Sequence, residues 1–123
     1  MKSVCFIKSR RSTIPSPCLS IVMPCYNEED ILPHTLAHVT TFFSTCIQDE
    51  IINPNSYLLC VDDGSVDDTW HIITSASKKN PSIRGLKLSR NTGHQTALVA
   101  GLSSVPDCDV NISIDADLQD DLL

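Results

Sequence analysis

The feature that most constrains this chain is an alternation. From Leu19 onward, short apolar runs of strand length take turns with stretches whose apolar residues recur at helical spacing. That order is the signature of βαβ units wound around a mostly parallel sheet, and so of an α/β fold. The strand candidates are Leu19 to Met23, Tyr57 to Val61, Ile83 to Leu88 and Val110 to Ile114. Between the first two, Leu32, Leu36, Val39, Phe43 and Cys46 share one helix face, with Pro33 in the first turn, where a missing N–H does least harm. A second helix is predicted to open at Ser65, capped by its hydroxyl with Asp68 in support, and to close before Asn80 and Pro81. A third is predicted from about His94 to Ser104, burying Ala97, Gly101, Leu102 and Val105.

The unusual polar residues fall after the strands. Pro24 to Glu29 follows the first, Asp62 to Ser65 the second, Arg90 to His94 the third and Asp115 to Gln119 the fourth. In an open parallel sheet the carboxyl ends of the strands share one edge, and ligands bind in the crevice beside them. These segments are therefore predicted to converge on one site.

Composition narrows the class of ligand. The formal charge is −6 over 123 residues, yet four of the nine bases (Lys2, Lys8, Arg10, Arg11) crowd the first eleven positions. From Ser12 onward fifteen acids face five bases, which argues against nucleic-acid binding, since that draws on Lys and Arg against phosphate. No apolar run approaches the ~20 residues of a membrane span. The six cysteines show no CxxC pair and no zinc-type histidine spacing, so reduced thiols in a cytoplasmic setting are expected. Residues 1–17, basic and without acids, read as a flexible tail ahead of one domain over 18–123, a weak organellar targeting signal being the alternative.

Asp115, Asp117 and Gln119 alternate at a strand end, so extended backbone would set their oxygens on one face, suited to a hard divalent cation bridging to phosphate. The plainer reading is an acidic turn capping a helix. A calcium loop fits poorly, because Asp120 stands where glycine is needed. Asp62 and Asp63 are either acceptors for a nucleotide base or ribose, or turn formers beside Gly64. Tyr26 near Glu28 is either an aromatic wall beside a polar anchor or an ordinary loop tyrosine. Arg90 is placed to pair with a diphosphate, or else faces solvent; Gly93 lets backbone approach an anion at a helix start. His94 reads as a helix-start polar residue, and Cys25 as a small buried neighbour rather than a nucleophile.

The segments IVMPCYNEED, VDDGSVDDT, LSRNTGHQTALVAGL and SIDADLQDD, in this order, resemble the start of glycosyltransferase family 2. The similarity is nearest to the polyprenyl-phosphate glycosyltransferases, of the dolichol-phosphate mannosyltransferase and undecaprenyl-phosphate kinds, and covers about residues 18–123. It implies a Rossmann-like GT-A fold, represented here by its nucleotide-sugar-binding half and truncated before the acceptor half. It further implies a nucleoside-diphosphate sugar donor, transfer with inversion, a lipid-phosphate acceptor and membrane association of the full-length protein. By the family's pattern Pro24, Tyr26, Glu28, Val61 and Asp63 line base and ribose with Asp62 beside them. Asp115, Ala116 and Asp117 hold ribose and diphosphate, and Asp117 with Gln119 ligates Mg2+ or Mn2+. The acceptor-side catalytic residues are expected beyond Leu123. The competing readings are a non-catalytic nucleotide-binding fragment, and a nucleotidyltransferase, which is disfavoured because no glycine-rich phosphate loop with a lysine follows the first strand.

Overall fold

The computed structural model describes residues 15–105 and 108–117. Its strands are β1 (Leu19–Cys25), β2 (Tyr57–Asp62), β3 (Ile83–Lys87) and β4 (Val110–Ser113); its helices are α1 (Leu32–Gln48), α2 (Thr69–Lys79) and α3 (His94–Ser103). All strand pairs are parallel, in the order β3-β2-β1-β4.

That order follows from the alternation and the handedness of crossovers. The first two connections step outward from β1 to β2 to β3, so α1 and α2 lie on one face; the third carries the chain back across the sheet to β4, so α3 covers the other. The residues agree. Leu19, Ile21, Met23 and Cys25 point from alternate positions of β1 into the layer holding Leu32, Leu36, Val39 and Phe43 of α1, while Val22 joins Leu59, Val61 and Ala97 beneath α3. Both faces of β1 and β2 are covered, and every residue of those strands is buried, as expected of near-continuous apolar strands in a parallel sheet. The outer strands β3 and β4 alternate or are exposed.

The close packing of α3 rests on a glycine. A Cβ on Gly101 would stand 2.5 Å from Cγ1 of Val22 and 2.8 Å from Cγ2 of Val61, so the helix approaches the sheet to a distance that no side chain at this position permits. Leu102, expected in the core, is instead 40% exposed, because the buried stripe of this short helix is Ala97 and Gly101.

The second helix begins three residues later than the capping pattern predicts, at Thr69, with Asp68 rather than Ser65 at its N-cap and no side-chain cap bond. The Ser65 hydroxyl is drawn elsewhere: it accepts the Asn27 N–H at 2.9 Å. Of the segment expected to be a flexible tail, residues 1–14 lie outside the described residues; Ser16 donates its hydroxyl to the Glu50 carbonyl at 2.7 Å, and the Pro17 carbonyl accepts Asn53 N–H at 2.8 Å. Among the described residues no helix is long and apolar enough to cross a membrane.

Candidate functional site

The strand order reverses direction between β1 and β4, and in this class of sheet the crevice opens at the carboxyl edge beside that switch point. All the polar segments arrive there, and their mutual hydrogen bonds define the site.

The turn after β2 organises it. Asp63 is 3% exposed, and its carboxylate is ringed by donors from the loop that follows β3. Oδ1 accepts the N–H and the hydroxyl of Thr92, both at 2.8 Å; Oδ2 accepts Gly93 N–H at 3.0 Å and Asn91 Nδ2 at 3.3 Å. These bonds tie the turn after β2 to the loop after β3 and fix the entry of α3. The two loops also touch through backbone: Gly64 has φ +74°, and a Cβ there would fall 2.3 Å from Asn91 N. Glycine is demanded by conformation and by space together.

The loop after β1 is laced to the segment before α2. Asn27, at φ +53°, receives the Val66 N–H on Oδ1 at 2.9 Å; Glu28 donates its N–H to Thr69 Oγ1 at 2.8 Å; Glu29 accepts Asp68 N–H at 3.1 Å. Asp67 accepts from both N–H and hydroxyl of Thr69 at 2.9 and 2.5 Å. Burial would push the Asp67 carboxyl up, but these Thr69 bonds outweigh it and hold it below its ordinary range.

The acids of the fourth segment come to the same edge. Asp115 pairs with His94 Nε2 at 3.5 Å, and the buried Thr35 hydroxyl of α1 donates to the Ala116 carbonyl at 2.6 Å, anchoring the turn. The Glu28 carboxyl is raised above its ordinary value, first by burial and then by the negative charges of Asp117, Asp67 and Asp115. Carboxylates from three separate segments therefore share one electrostatic neighbourhood. Beside them lies a crevice of 180 Å³ whose walls include Pro24, Tyr26, Glu28, Asp63, Gly93 and His94. Tyr26 is 46% exposed there, which leaves its ring face open to a planar ligand.

Several expected site residues are placed differently. Val61 is fully buried under α3, since strand alternation turns its side chain into that layer and away from the crevice. Asp62 is also fully buried; it accepts Ser65 N–H at 3.2 Å and pairs with Lys87 at 3.4 Å, so it closes the turn and is absent from the crevice wall. Arg90 is exposed and does not line the crevice, its backbone instead packing against Gly64. The Ala116 side chain is buried. Gln119 lies outside the described residues. Conversely, Asn91, Thr92 and Thr35 organise the site without having been singled out for it; a Thr in a helix carries no sequence signal of this kind until its tertiary partner is known.

With this geometry in place, comparison with known proteins is decisive. The profile of the family described as Glycosyl transferase family 2 matches residues 20–121. The chain belongs to glycosyl transferase family 2. One relative, the uncharacterized glycosyltransferase YkoT of Bacillus subtilis (strain 168), is 47% identical over 107 residues, covering 86% of this chain and 32% of its own length. The fold is that of GT-A glycosyltransferases. The structure of the mannosyltransferase PcManGT from Pyrobaculum calidifontis, solved in complex with GDP-Man and Mn2+, superposes with a TM-score of 0.66 at 21% identity, over 83% of this chain and 28% of that one. The crystal structure of S. aureus TarS superposes with a TM-score of 0.62 at 22% identity, over 81% and 27%. This family 2 chain thus spans about a third of the length of the relatives it matches.

Proposed function

We propose that this chain forms the donor side of a nucleotide-sugar-dependent, inverting glycosyltransferase that acts with Mg2+ or Mn2+ and delivers its sugar to a polyprenyl phosphate at the cytoplasmic face of a membrane. The observation that carries the reading is the meeting of Glu28, Asp63 and the Asp115 to Asp117 segment at the switch-point edge.

The Tyr26 ring supplies a stacking wall for a base, and the loop ordered by Asp63 brings the Gly93 backbone and the start of α3 to the crevice. A diphosphate is strongly anionic and the described wall offers it acids, Arg90 not being part of that wall, so the crevice and the donor repel each other unless a cation intervenes. Among the described residues no group of three His, Cys, Asp or Glu side chains converges to hold a metal alone. That suits Mg2+ or Mn2+, which commonly bind through one or two carboxylates and complete their shell with substrate phosphates and water. Asp117 is the ligand proposed from the described residues, with Gln119 as its partner. Such an ion, when bound, supplies Lewis-acid stabilisation of the departing nucleoside diphosphate. The Mn2+ and GDP-Man in the complex of PcManGT support this assignment.

The proposed acceptor follows from the family resemblance and from its chemistry. A phosphomonoester, with a second pKa of ~6, is already anionic near neutral pH, so its oxygen attacks the anomeric carbon as the bond to the diphosphate breaks, and needs positioning more than a general base. A single displacement inverts the anomeric centre.

The test is calorimetric titration of the full-length chain with GDP and with UDP, with and without Mn2+, comparing wild type with Asp117→Asn. Mn2+ is expected to strengthen binding in the wild type, and the substitution to weaken the Mn2+-dependent binding by about 10- to 100-fold. Equal affinity in every condition overturns the metal assignment. Turnover of a nucleotide sugar with polyprenyl phosphate, and none with a plain sugar hydroxyl, is the expected acceptor result.

A further inference from the structure

At the opposite, amino-terminal edge of the sheet lies a larger cavity of 390 Å³, among whose walls are Cys18, Tyr57, Arg84 and Cys108. The two thiols, 90 positions apart in sequence, stand with Sγ···Sγ at 2.7 Å. The backbone holds them there. Asp109 and Val110 both donate N–H to the Cys18 carbonyl at 3.0 Å, and Asp109 Oδ2 accepts Cys18 N–H at 2.8 Å. The other described thiols lack this combination of a partner and access: Cys25 and Cys60 are sealed in the α1 layer, and Cys46 stands on α1.

We propose that Cys18 and Cys108 are a redox-responsive dithiol that closes into an intrachain disulfide at the expense of a low-molecular-weight disulfide of the glutathione type, clamping β4 to β1. The exchange balances without a further reactant. One protein thiolate attacks the S–S bond of the small disulfide, releasing one small thiol and leaving a mixed disulfide. The second protein thiol then loses its proton and displaces the other small thiol, so the protein pair is oxidised, the small disulfide is reduced and the protein protons end on the two released thiols. The Cys18 thiol is pushed up to about 11, by burial, by its hydrogen bond with Cys108, and by the charges of Cys108 and Asp109. It is therefore held protonated at neutral pH and is the weaker choice for the opening attack.

The consequence lies in where the clamp falls. Among the described residues β4 is an edge strand paired only with β1, over Leu19–Val22 against Val110–Ser113, and the cysteines sit just ahead of that ladder. The chain leaving the far end of β4 carries Asp115 and Asp117, so the bond restrains the strand that delivers the acidic segment. This inference does not depend on the donor-binding reading.

The experiment equilibrates the full-length chain, natively folded, with oxidised and reduced glutathione, quenches it in acid, alkylates it and maps the cysteines by mass spectrometry. A Cys18–Cys108 crosslink in most molecules under oxidising ratios, reversed by dithiothreitol, is expected. Full alkylation of both thiols under those ratios, or linkage shared with Cys46 or Cys5, overturns the proposal. The C108S and C18S variants should each lose the crosslink. Amide exchange over 110–113 should slow about tenfold on oxidation in the wild type, and be unchanged by glutathione in C108S; equal exchange in oxidised and reduced wild type removes the clamp.

Discussion

Asp63 shows what one residue can do when tertiary structure surrounds it. A buried carboxylate is costly unless its charge is met by donors, and here Asn91, Thr92 and Gly93 meet it from a loop about thirty positions away. Asp63→Ala strands those N–H and hydroxyl groups in a partly buried pocket. The expected loss is about 2–4 kcal/mol of stability, read as a lower urea midpoint in the full-length chain. Asp63→Asn keeps the shape but turns a donor toward donors, so it should also destabilise, though less. The sequence offered two readings of this residue, ligand acceptor or turn former. The structure shows a third arrangement: the carboxylate is buried and bound to the loop after β3, with the residue on the crevice wall. Its neighbour Asp62 is turned the other way, because successive residues of an extended chain point to opposite faces.

At the level of elements, the glycines carry the fit between helix and sheet. Gly101→Ala pushes a methyl group into Val22 and Val61, both buried strand residues without room to yield. Overpacking of this kind typically costs about 1–3 kcal/mol, against a gain in helix propensity of up to ~1 kcal/mol, so the net effect expected in thermal denaturation is destabilising. Gly93→Ala is the useful contrast. Nothing lies within 4 Å of its would-be Cβ, so the loss there, about 1–3 kcal/mol, is expected from backbone strain alone, at φ +96° and ψ 152°. Helix and strand identities were legible from apolar spacing, and Pro33 falls in the first turn of α1 as read. The start of α2 was not legible: Ser65 and Asp68 have the right letters for a cap, but Asn27 N–H competes for the serine oxygen, and a local pattern cannot register a partner 38 residues away.

Across the whole molecule, the carboxyl edge gathers negative charge. Glu28 senses it most directly, raised by burial and by Asp117, Asp67 and Asp115. A carboxyl whose folded pKa is raised contributes stability below its unfolded pKa, and that contribution is lost as pH rises through the folded value. Glu28→Gln removes the ionisation. The variant is therefore expected to match wild type in thermal midpoint near pH 4, and to exceed it near pH 7; a divalent cation with nucleoside diphosphate should narrow the gap by offsetting the local charge. Thermal melts of the full-length chain at both pH values check this, and an unchanged difference between them would contradict it.

The sequence by itself determined the α/β class, the placing of the strands and helices, the gathering of polar segments at one edge and membership of glycosyl transferase family 2. These depend on residue spacing along the chain and on rules of sheet handedness that hold for any chain of this pattern. Only the tertiary structure decided which of the gathered residues face the crevice. It buried Val61 and Asp62, left Arg90 off the crevice wall, assigned Asp63 to the loop after β3, and set Cys18 against Cys108. Each of those outcomes depends on a partner far along the sequence, and side-chain direction at a strand end is fixed by what packs against it, not by the letters beside it.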